Sequence, residues 1–202
     1  MSQEPYDILK EYYGITSQLE KPPSGKSNKG FRGHVFCKIL ADHISKYVRK
    51  YDIVLGPLWI KGIEWIEWDL ALVRKGAKQI NGLNWYSPED IIALFECKVH
   101  GIYGSEGEIQ EVLGRIKGNF DEAKRICKNL KRCFYVSLKE ARPIRRGIDY
   151  YEETKKVIKD SYIFFNSRLL GDSIRMDELE EIAKKAEFKG EFKRFIEALL
   201  QL

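Results

Sequence analysis

Two apolar segments with charges in their interior constrain this chain more than any other feature of its sequence. The first is Ile63 to Arg74 (IEWIEWDLALVR) and the second is Ile91 to His100 (IIALFECKVH). Both are rich in β-branched and aromatic residues, which favours two neighbouring strands of one sheet. A charge inside an apolar strand is costly unless it is paired or binds a metal, so these segments are the first candidates for chemistry.

Side chains alternate between the two faces of a strand, and this alternation decides which of the charges can meet. Glu67 and Asp69 share a face in the first segment, and Glu96 and Lys98 share a face in the second. Two interpretations stay open. The charges form a catalytic or metal site, or Lys98 pairs with Glu96 or Asp69 and serves packing alone.

Composition sets outer bounds on the protein. The 202 residues are 44% hydrophobic, enough for one substantial core, so we expect a single domain over residues 1–202. The 35 basic and 30 acidic residues nearly balance, so total charge selects no partner. No apolar run approaches the ~20 residues of a membrane span, and the polar start has no signal-peptide core. We expect a cytoplasmic, or otherwise intracellular, protein without membrane contact.

The four cysteines predict reduced thiols. Cys37, Cys97, Cys127 and Cys133 include no C-x-x-C pair, and three of them lie in apolar periodic stretches. Buried thiols of an intracellular protein are therefore expected, and a zinc or iron-sulfur site is the alternative.

The predicted elements follow the order helix, strand, strand, strand, helix, strand. A crossover helix between the third and fourth strands makes those strands parallel, so we expect a mixed sheet with helices on its faces, an α/β fold. The long connection from Gly76 to Asp90 could fold over the strands as a flap. The predicted core elements are a helix over Phe31–Lys50, a strand over Asp52–Ile60, a Lys61-Gly62 hairpin turn, the two charged strands, a helix to about Leu130, and a strand over Cys133–Leu138.

Further elements are expected on both sides of this core. An amphipathic helix is predicted over Tyr6–Tyr13, stopped by Gly14, and Gly56-Pro57 predicts an edge position or a bulge in the first strand. A helix near Tyr150–Lys159, a strand over Tyr162–Phe165 and helical segments over residues 176–202 complete the prediction.

Asp69 in a hairpin strand and Glu96-Cys97-Lys98 in the next resemble the PD-(D/E)XK nuclease superfamily, the restriction-endonuclease-like fold. The two acids are 96 − 69 = 27 residues apart, within the loose range of that superfamily. The similarity covers about residues 30–138. A helix and basic loop (1–29) precede this core, and a helical extension (139–202) follows it. Archaeal Holliday-junction resolvases and archaeal virus nucleases are the most similar subgroup, because Lys29 to His34 (KGFRGH) resembles the entry to their first helix.

Two positions depart from the family pattern. Trp68 replaces the proline that usually precedes the aspartate, which is a common variation. His34 stands where the resolvase pattern has a glutamate. An imidazole can accept a hydrogen bond or act as a weak ligand, but it brings no negative charge, which weakens the basis for a second metal ion.

The resemblance implies a metal site. Asp69, Glu96 and the main-chain carbonyl of Cys97 are expected to hold Mg²⁺ or Mn²⁺, because these ions prefer oxygen ligands. Lys98 is expected to orient or deprotonate the attacking water and to offset charge in the transition state. Glu67 is a further candidate ligand or base, and His34 a further candidate site residue.

The function that follows is a Mg²⁺-dependent deoxyribonuclease, expected to be an endonuclease on duplex or branched DNA such as Holliday junctions and to act as a homodimer. Trp59, Trp65, Trp68 and Trp85 are interpreted as core residues rather than base-stacking platforms. The basic side chains expected to contact DNA phosphates are Lys29, Arg32, Lys117, Lys124, Arg125, Lys128, Arg142, Arg145 and Arg146.

Two other functions stay open. One is a catalytically inactive nucleic-acid-binding or assembly module on the same fold. The other is an unrelated α/β enzyme, although the sequence has no phosphate-binding loop, no Rossmann fingerprint and no Ser-His-Asp order.

Overall fold

A computed structural model describes residues 4–19, 29–102, 104–140, 149–166, 170, 177–188 and 190–202, with Lys29 described by its main chain only. Within these residues, six strands form one sheet in the order β3-β1-β2-β4-β5-β6. The strands are β1 (Tyr51–Ile60), β2 (Trp68–Arg74), β3 (Trp85–Tyr86), β4 (Ile91–His100), β5 (Arg132–Lys139) and β6 (Ser161–Phe165).

The sheet is mixed. Strand β2 pairs antiparallel with both β1 and β4, whereas β4, β5 and β6 run parallel to one another. Parallel neighbours need a crossover connection, and a helix supplies it between β4 and β5. The helices are α1 (Glu4–Thr16), α2 (Lys29–Ile44), α3 (Glu106–Ile126), α4 (Tyr150–Val157), α5 (Leu179–Ala186) and α6 (Glu191–Leu200).

Helices cover both faces of the sheet and create two cores. Apolar side chains of α1, α2, α5 and α6 pack on one face, and those of α3 and α4 pack on the other. This confirms the predicted fold class, a mixed sheet flanked by helices. The predicted order of helix, strand, strand, strand, helix and strand is present as α2-β1-β2-β4-α3-β5.

The start of α3 is fixed directly after the strand that carries Glu96 and Lys98. Ser105 caps the helix, because its hydroxyl accepts a hydrogen bond from the Glu108 main chain and the Glu108 carboxylate accepts one from the Ser105 main chain at 2.6 Å. Such a capping box satisfies main-chain donors that a helix start otherwise leaves unpaired. The Tyr150 hydroxyl donates to the Gly104 carbonyl at 3.2 Å and ties α4 to the same turn.

The first charged strand is shorter than predicted. Strand β2 begins at Trp68, not at Ile63, and the predicted two-residue turn at Lys61-Gly62 is wrong. Beyond the Leu58–Trp68 pair, β1 leaves β2 and pairs in parallel with β3, with Trp59 opposite Trp85. Residues 61–67 therefore have no partner strand and fold into turns.

The connection from Gly76 to Asp90 is not a flap. It contains β3, which occupies the edge of the sheet beside β1. The Trp59 amide donates to the Asn84 carbonyl, and the Lys61 amide donates to the Tyr86 carbonyl, both at 2.9 Å. A two-residue strand is too short to leave a periodic signal in the sequence, and its partner lies more than 20 residues away.

Smaller differences concern the ends of helices. Helix α1 continues past Gly14 to Thr16, and α2 and α3 end earlier than predicted, at Ile44 and Ile126. The four cysteines are free and buried, as predicted. None of the described helices is long and apolar enough to cross a bilayer.

Candidate active site

Strands β2 and β4 bring the predicted charges together. Leu70 pairs with Phe95 in their antiparallel register, so Asp69 and Glu96 are the next positions on the two strands. The Lys98 ammonium lies 3.6 Å from Asp69 Oδ2 and forms an ion pair with Glu96 Oε1. One ammonium group therefore contacts two carboxylates from different strands.

The Asp69 carboxylate is held in place from the neighbouring strand. The main-chain amide of Cys97 donates a hydrogen bond to Asp69 Oδ2 at 2.8 Å. A charge-assisted bond of this kind is stronger than one between neutral groups. Cys97 thus contributes its amide here, while metal binding by its carbonyl stays a prediction.

Gly56 sets the approach of β1 to Asp69, which sequence reasoning missed. The β1–β2 register shifts between Leu55 and Leu58, and Gly56 lies inside this bulge. A Cβ atom on Gly56 would lie 2.1 Å from the Trp68 carbonyl oxygen and 2.9 Å from that of Asp69. The glycine is therefore required by a close contact between main chains, which the Gly-Pro pair in a strand indicated only as a bulge.

Burial and charge shift the pKa values of this cluster. Burial raises the pKa of Glu96, and the nearby Asp69 charge adds to the rise, although Lys98 opposes it. Burial alone would lower the pKa of Lys98, but the charges of Glu96 and Asp69 outweigh it and raise the value. Two carboxylates face one ammonium, so the cluster carries an excess of one negative charge when all three groups are ionised.

A cavity of about 720 Å³ opens beside this cluster. Asp69 and Lys98 lie in its wall, so a ligand in the cavity can reach both charges. The wall is formed by the first part of α2, the β1 bulge, the start of β2 and the end of β4. Its residues are Gly30, Arg32, Gly33, His34, Cys37, Gly56, Pro57, Glu67, Trp68, Asp69, Cys97, Lys98, Val99 and His100.

Two further candidates line the cavity without joining the cluster. His34 is exposed in the second turn of α2, and Glu67 is exposed immediately before β2 begins. Within the described residues, no hydrogen bond or ion pair connects either side chain to Asp69, Glu96 or Lys98. Glu67 does not belong to β2, because the strand starts one residue after it.

The donor atoms suit a hard divalent cation. Asp69 and Glu96 each place a carboxylate oxygen close to the Lys98 ammonium. Mg²⁺ is commonly held by one or two carboxylates, with water and phosphate oxygens filling its remaining positions. Among the described residues, no group of three or more His, Cys, Asp or Glu side chains is placed to hold a metal. The side chains fit Mg²⁺ or Mn²⁺ only as a pair of carboxylates that leaves positions for other oxygens.

The predicted phosphate-binding residues differ in their surroundings. Arg32 lines the cavity, and its Nε is buried without a hydrogen-bond partner. On α3, Lys117 and Lys124 lie 2.6 and 3.9 Å from Asp121, and Arg125 lies 2.6 Å from Glu122.

These α3 cations are exposed, and exposed pairs of this kind are weak. Lys128 is exposed and forms no ion pair with any described residue. The side chain of Lys29, and Arg142, Arg145 and Arg146, lie outside the described residues.

The four tryptophans differ in how far their side chains are exposed to solvent. Trp68 is 1% exposed and stacks on Phe120 with ring centroids 5.9 Å apart, while Trp59 and Trp85 are half-buried. The core interpretation is wrong for Trp65, which is 73% exposed. Its position in a predicted strand suggested burial, but residues 61–67 form turns instead.

Comparisons with known proteins give a distant structural likeness. No family model matches the chain, and no curated protein matches it. NucC of P. aeruginosa ATCC27853 in its cAAA-bound form is similar in structure, with a TM-score of 0.49 and 8% identity over 75% of this chain and 67% of that chain. NucC of E. coli MS115-1, also cAAA-bound, gives 0.45 and 10% over 69% and 64%.

The chain thus spans about two thirds of these NucC proteins. At TM-scores below 0.5, the likeness assigns neither a substrate nor a site to this chain. Neither structure is of an archaeal protein, so these comparisons do not support the predicted resemblance to archaeal resolvases and archaeal virus nucleases.

Proposed function

We propose that this protein is a Mg²⁺-dependent deoxyribonuclease that hydrolyses phosphodiester bonds. A single observation carries the proposal: the Lys98 ammonium is shared by the carboxylates of Asp69 and Glu96, and two of these three residues face an open cavity. Two acids and a lysine on adjacent strands are the groups that metal-assisted attack on a phosphodiester requires. The pair-only alternative does not account for the cavity beside the pair.

Asp69 and Glu96 would hold the metal ion, with the Cys97 carbonyl as a third ligand. When bound, the divalent ion neutralises charge on the scissile phosphate and makes an attacking water more acidic. The Cys97 amide keeps one oxygen of Asp69 directed towards β4. The Asp69 carboxylate is thus positioned before substrate arrives, which lowers the cost of assembling the site.

Lys98 would act on the nucleophile and on the phosphate. Its ammonium group lines the cavity and already contacts both acids. From this position it donates hydrogen bonds to an attacking water or to a phosphate oxygen and offsets the negative charge that develops during attack. Removing a charge-stabilising donor of this kind typically costs about 10²–10³-fold in rate.

The substrate that we propose is duplex or branched DNA, such as a Holliday junction, cut within the strand by a homodimer. The cavity is open to solvent and Arg32 offers a cation in its wall, which suits a phosphate backbone passing over the site. A second copy of the chain would address the second strand.

The test is cleavage of plasmid, linear duplex, single-stranded and four-way-junction DNA in the presence of Mg²⁺ or Mn²⁺. Asp69→Asn and Lys98→Ala should each lower the cleavage rate by about 10²-fold or more and retain the fold by circular dichroism. The matched control is Glu180→Gln, which removes an exposed carboxylate that pairs with Lys184 on α5. Unchanged activity in both site variants would contradict the proposed site.

A second candidate function is a catalytically inactive nucleic-acid-binding module. It is favoured by the pairing of Lys98 with Glu96, which already compensates one of the two acids. For such a module, a nuclease-free preparation would bind DNA with a steep salt dependence and cut none of the four substrates with either metal.

A further inference from the structure

A second, smaller cavity has a wall that carries only positive charges, and we call it the cationic cavity. Its volume is about 300 Å³, and it lies between the end of α2 and the start of β1, beside the end of α6. Three of its lining residues are cations and none is an acid. These residues are Lys46, Tyr47, Val48, Arg49, Lys50, Tyr51, Leu199 and Leu200. A cavity with this lining attracts anions.

Two of the three cations in this wall are not compensated by an acid. Lys46 forms an ion pair with Glu4. Arg49 and Lys50 are exposed, and neither forms an ion pair within the part of the chain that the structure describes. The cations follow the end of α2, where the helix dipole contributes only about half a negative charge. Positive charge therefore remains available for a ligand.

Two further lysines extend the positive surface past the cationic cavity. The Lys75 ammonium lies 3.5 Å from the Arg49 carbonyl oxygen. The Lys131 ammonium lies 5.9 Å from the centre of the Tyr51 ring and donates to the Leu202 carbonyl. Cations thus occupy the cavity wall and the surface next to it, which suits an extended polyanion better than one small anion.

The cations of the wall are placed over aromatic rings that are themselves held. The Lys46 ammonium lies 5.3 Å from the centre of the Tyr47 ring, and the Lys50 ammonium lies 5.2 Å from that of the Tyr51 ring. The Tyr47 hydroxyl donates to Glu4 at 2.6 Å, and the Tyr51 hydroxyl donates to the Leu202 carbonyl at 2.7 Å. A cation over a fixed ring loses less side-chain entropy when an anion binds.

We propose that Lys46, Arg49 and Lys50 bind phosphate groups of the DNA backbone at a second contact, outside the cavity that contains Asp69 and Lys98. The identity of the ligand rests on the proposed function, to which this contact adds a binding site. Tyr51 pairs with Arg74, which lies five residues beyond Asp69 on β2, or about 17 Å along the strand. The contact is too far from Asp69 to touch the phosphate that is cut, so it adds affinity and leaves the chemical step unchanged.

The test is the binding of a fluorescent DNA duplex in EDTA at several salt concentrations. The double variant Arg49→Gln/Lys50→Gln should bind about tenfold or more weakly than the wild type at 0.1 M salt. Its plot of log K against log salt should be less steep by about 1.8, which is about 0.9 for each lost phosphate contact. Lys50→Arg keeps the charge and should bind as the wild type does.

The matched control is the double variant Lys184→Gln/Lys185→Gln, which removes the same net charge from α5. Both lysines are exposed, and neither lines the cationic cavity or the cavity beside Asp69. The control should bind DNA within twofold of the wild type. Equal losses of affinity in the two double variants would show that only net charge matters and would overturn the proposal.

Cleavage kinetics with Mg²⁺ separate binding from chemistry. Arg49→Gln/Lys50→Gln should raise KM about tenfold or more and keep kcat within twofold of the wild type. Unchanged DNA affinity in this variant would overturn the proposal, even if its melting temperature falls, because the two cations would then only stabilise the end of α2.

Two other outcomes identify the ligand and separate this contact from the proposed nuclease function. If pyrophosphate raises the melting temperature of the wild type but not of Arg49→Gln/Lys50→Gln, and both bind DNA equally, the cavity takes a free phosphate ligand and the DNA contact is wrong. If the wild type cuts no DNA but the double variant loses DNA affinity, the nuclease function fails and the DNA contact stands.

Discussion

Two ion clusters in this protein use similar side chains and reach opposite charge balances. In the first, which we call the site cluster, Lys98 is shared by Asp69 and Glu96. In the second, the clasp cluster, Glu191 at the start of α6 is shared by Lys155 and Arg194. The site cluster has one acid in excess, whereas the clasp cluster has one base in excess.

The surroundings of the two clusters differ as well. The Glu191 side chain is 4% exposed and lies 2.9 Å from the Lys155 ammonium, which joins α4 to α6. Lys155 also bonds to the Tyr151 hydroxyl, and Tyr151 stacks on Phe188 with ring centroids 4.5 Å apart. Burial, followed by the Glu191 contact, raises the pKa of Tyr151. None of the three clasp residues lines the cavity, and Arg194 is half exposed to solvent.

The two clusters are expected to have different roles because their charge balances differ. A single acid contacted by two bases already has its charge compensated, and its expected role is to join helices. In the site cluster two acids share one base, and one of these acids lies in the cavity wall, so one negative charge is not compensated within the cluster. We expect the site cluster to bind a cation and the clasp cluster to contribute only stability.

The largest expected difference is in catalysis. Lys98→Met should lower the cleavage rate by about 10²–10³-fold, because it removes the only cation of the site cluster. Lys155→Met should leave the rate within twofold of the wild type. Rates on one DNA substrate with Mg²⁺ measure both effects, and equal losses in the two variants would remove the functional distinction between the clusters.

The main-chain contact at Gly56 should give the next largest effect. Gly56→Ala forces a methyl group against the carbonyls of Trp68 and Asp69, so we expect a loss of about 1–3 kcal/mol in the free energy of unfolding and reduced cleavage. Gly118→Ala is the matched control, because a Cβ atom there meets nothing within 4 Å. It should stabilise α3 by about 0.5–1 kcal/mol. Urea unfolding of both variants measures the difference.

Mg²⁺ should stabilise the folded protein by binding at the site cluster and not at the clasp cluster. At ten times its dissociation constant, Mg²⁺ should raise the free energy of unfolding of the wild type by about 1.4 kcal/mol. Asp69→Asn should lose most of this gain, and Glu191→Gln should keep it while starting from a lower stability. Thermal unfolding with and without Mg²⁺ provides the comparison, and an equal gain in all three proteins would place the ion elsewhere.

The smallest expected effect concerns pH in metal-free protein. Since burial raises the pKa of Glu96 in the folded state, the stability that this group contributes is present below its unfolded pKa and is lost as pH rises through the folded value. Glu96→Gln mimics the protonated form. Its melting temperature relative to the wild type should therefore be higher at pH 8 than at pH 4, in the presence of EDTA. A difference of the opposite sign would contradict the assigned direction.

Sequence alone predicted the site cluster because alternation along a strand is a local rule. Glu96 and Lys98 are two residues apart, and Asp69 lies in the strand that precedes them. Asp69 comes close to Glu96 and Lys98 once these two neighbouring strands pair, and the order of the elements predicts that pairing. Their roles in catalysis and metal binding stay predictions.

Long-range contacts explain what the sequence did not reveal. Trp65 was assigned to a strand, but β1 exchanges its partner from β2 to β3 just before this segment, where Trp59 pairs with Trp85. The clasp cluster joins Lys155 to Glu191 across 36 residues, with no periodic pattern between them. Gly56 was recognised as a bulge, but its contact with Asp69 depends on the register of two strands.

Metal binding by Asp69 and Glu96 is tested most directly by the anomalous scattering of a crystal soaked in Mn²⁺. We predict one strong peak at about 2.1 Å from carboxylate oxygens of both Asp69 and Glu96, with the Lys98 ammonium displaced from Glu96, and no peak at Glu191. A crystal that shows no peak at Asp69 and Glu96 under saturating Mn²⁺, with the Lys98 ion pair intact, would show that these two acids do not form a metal site.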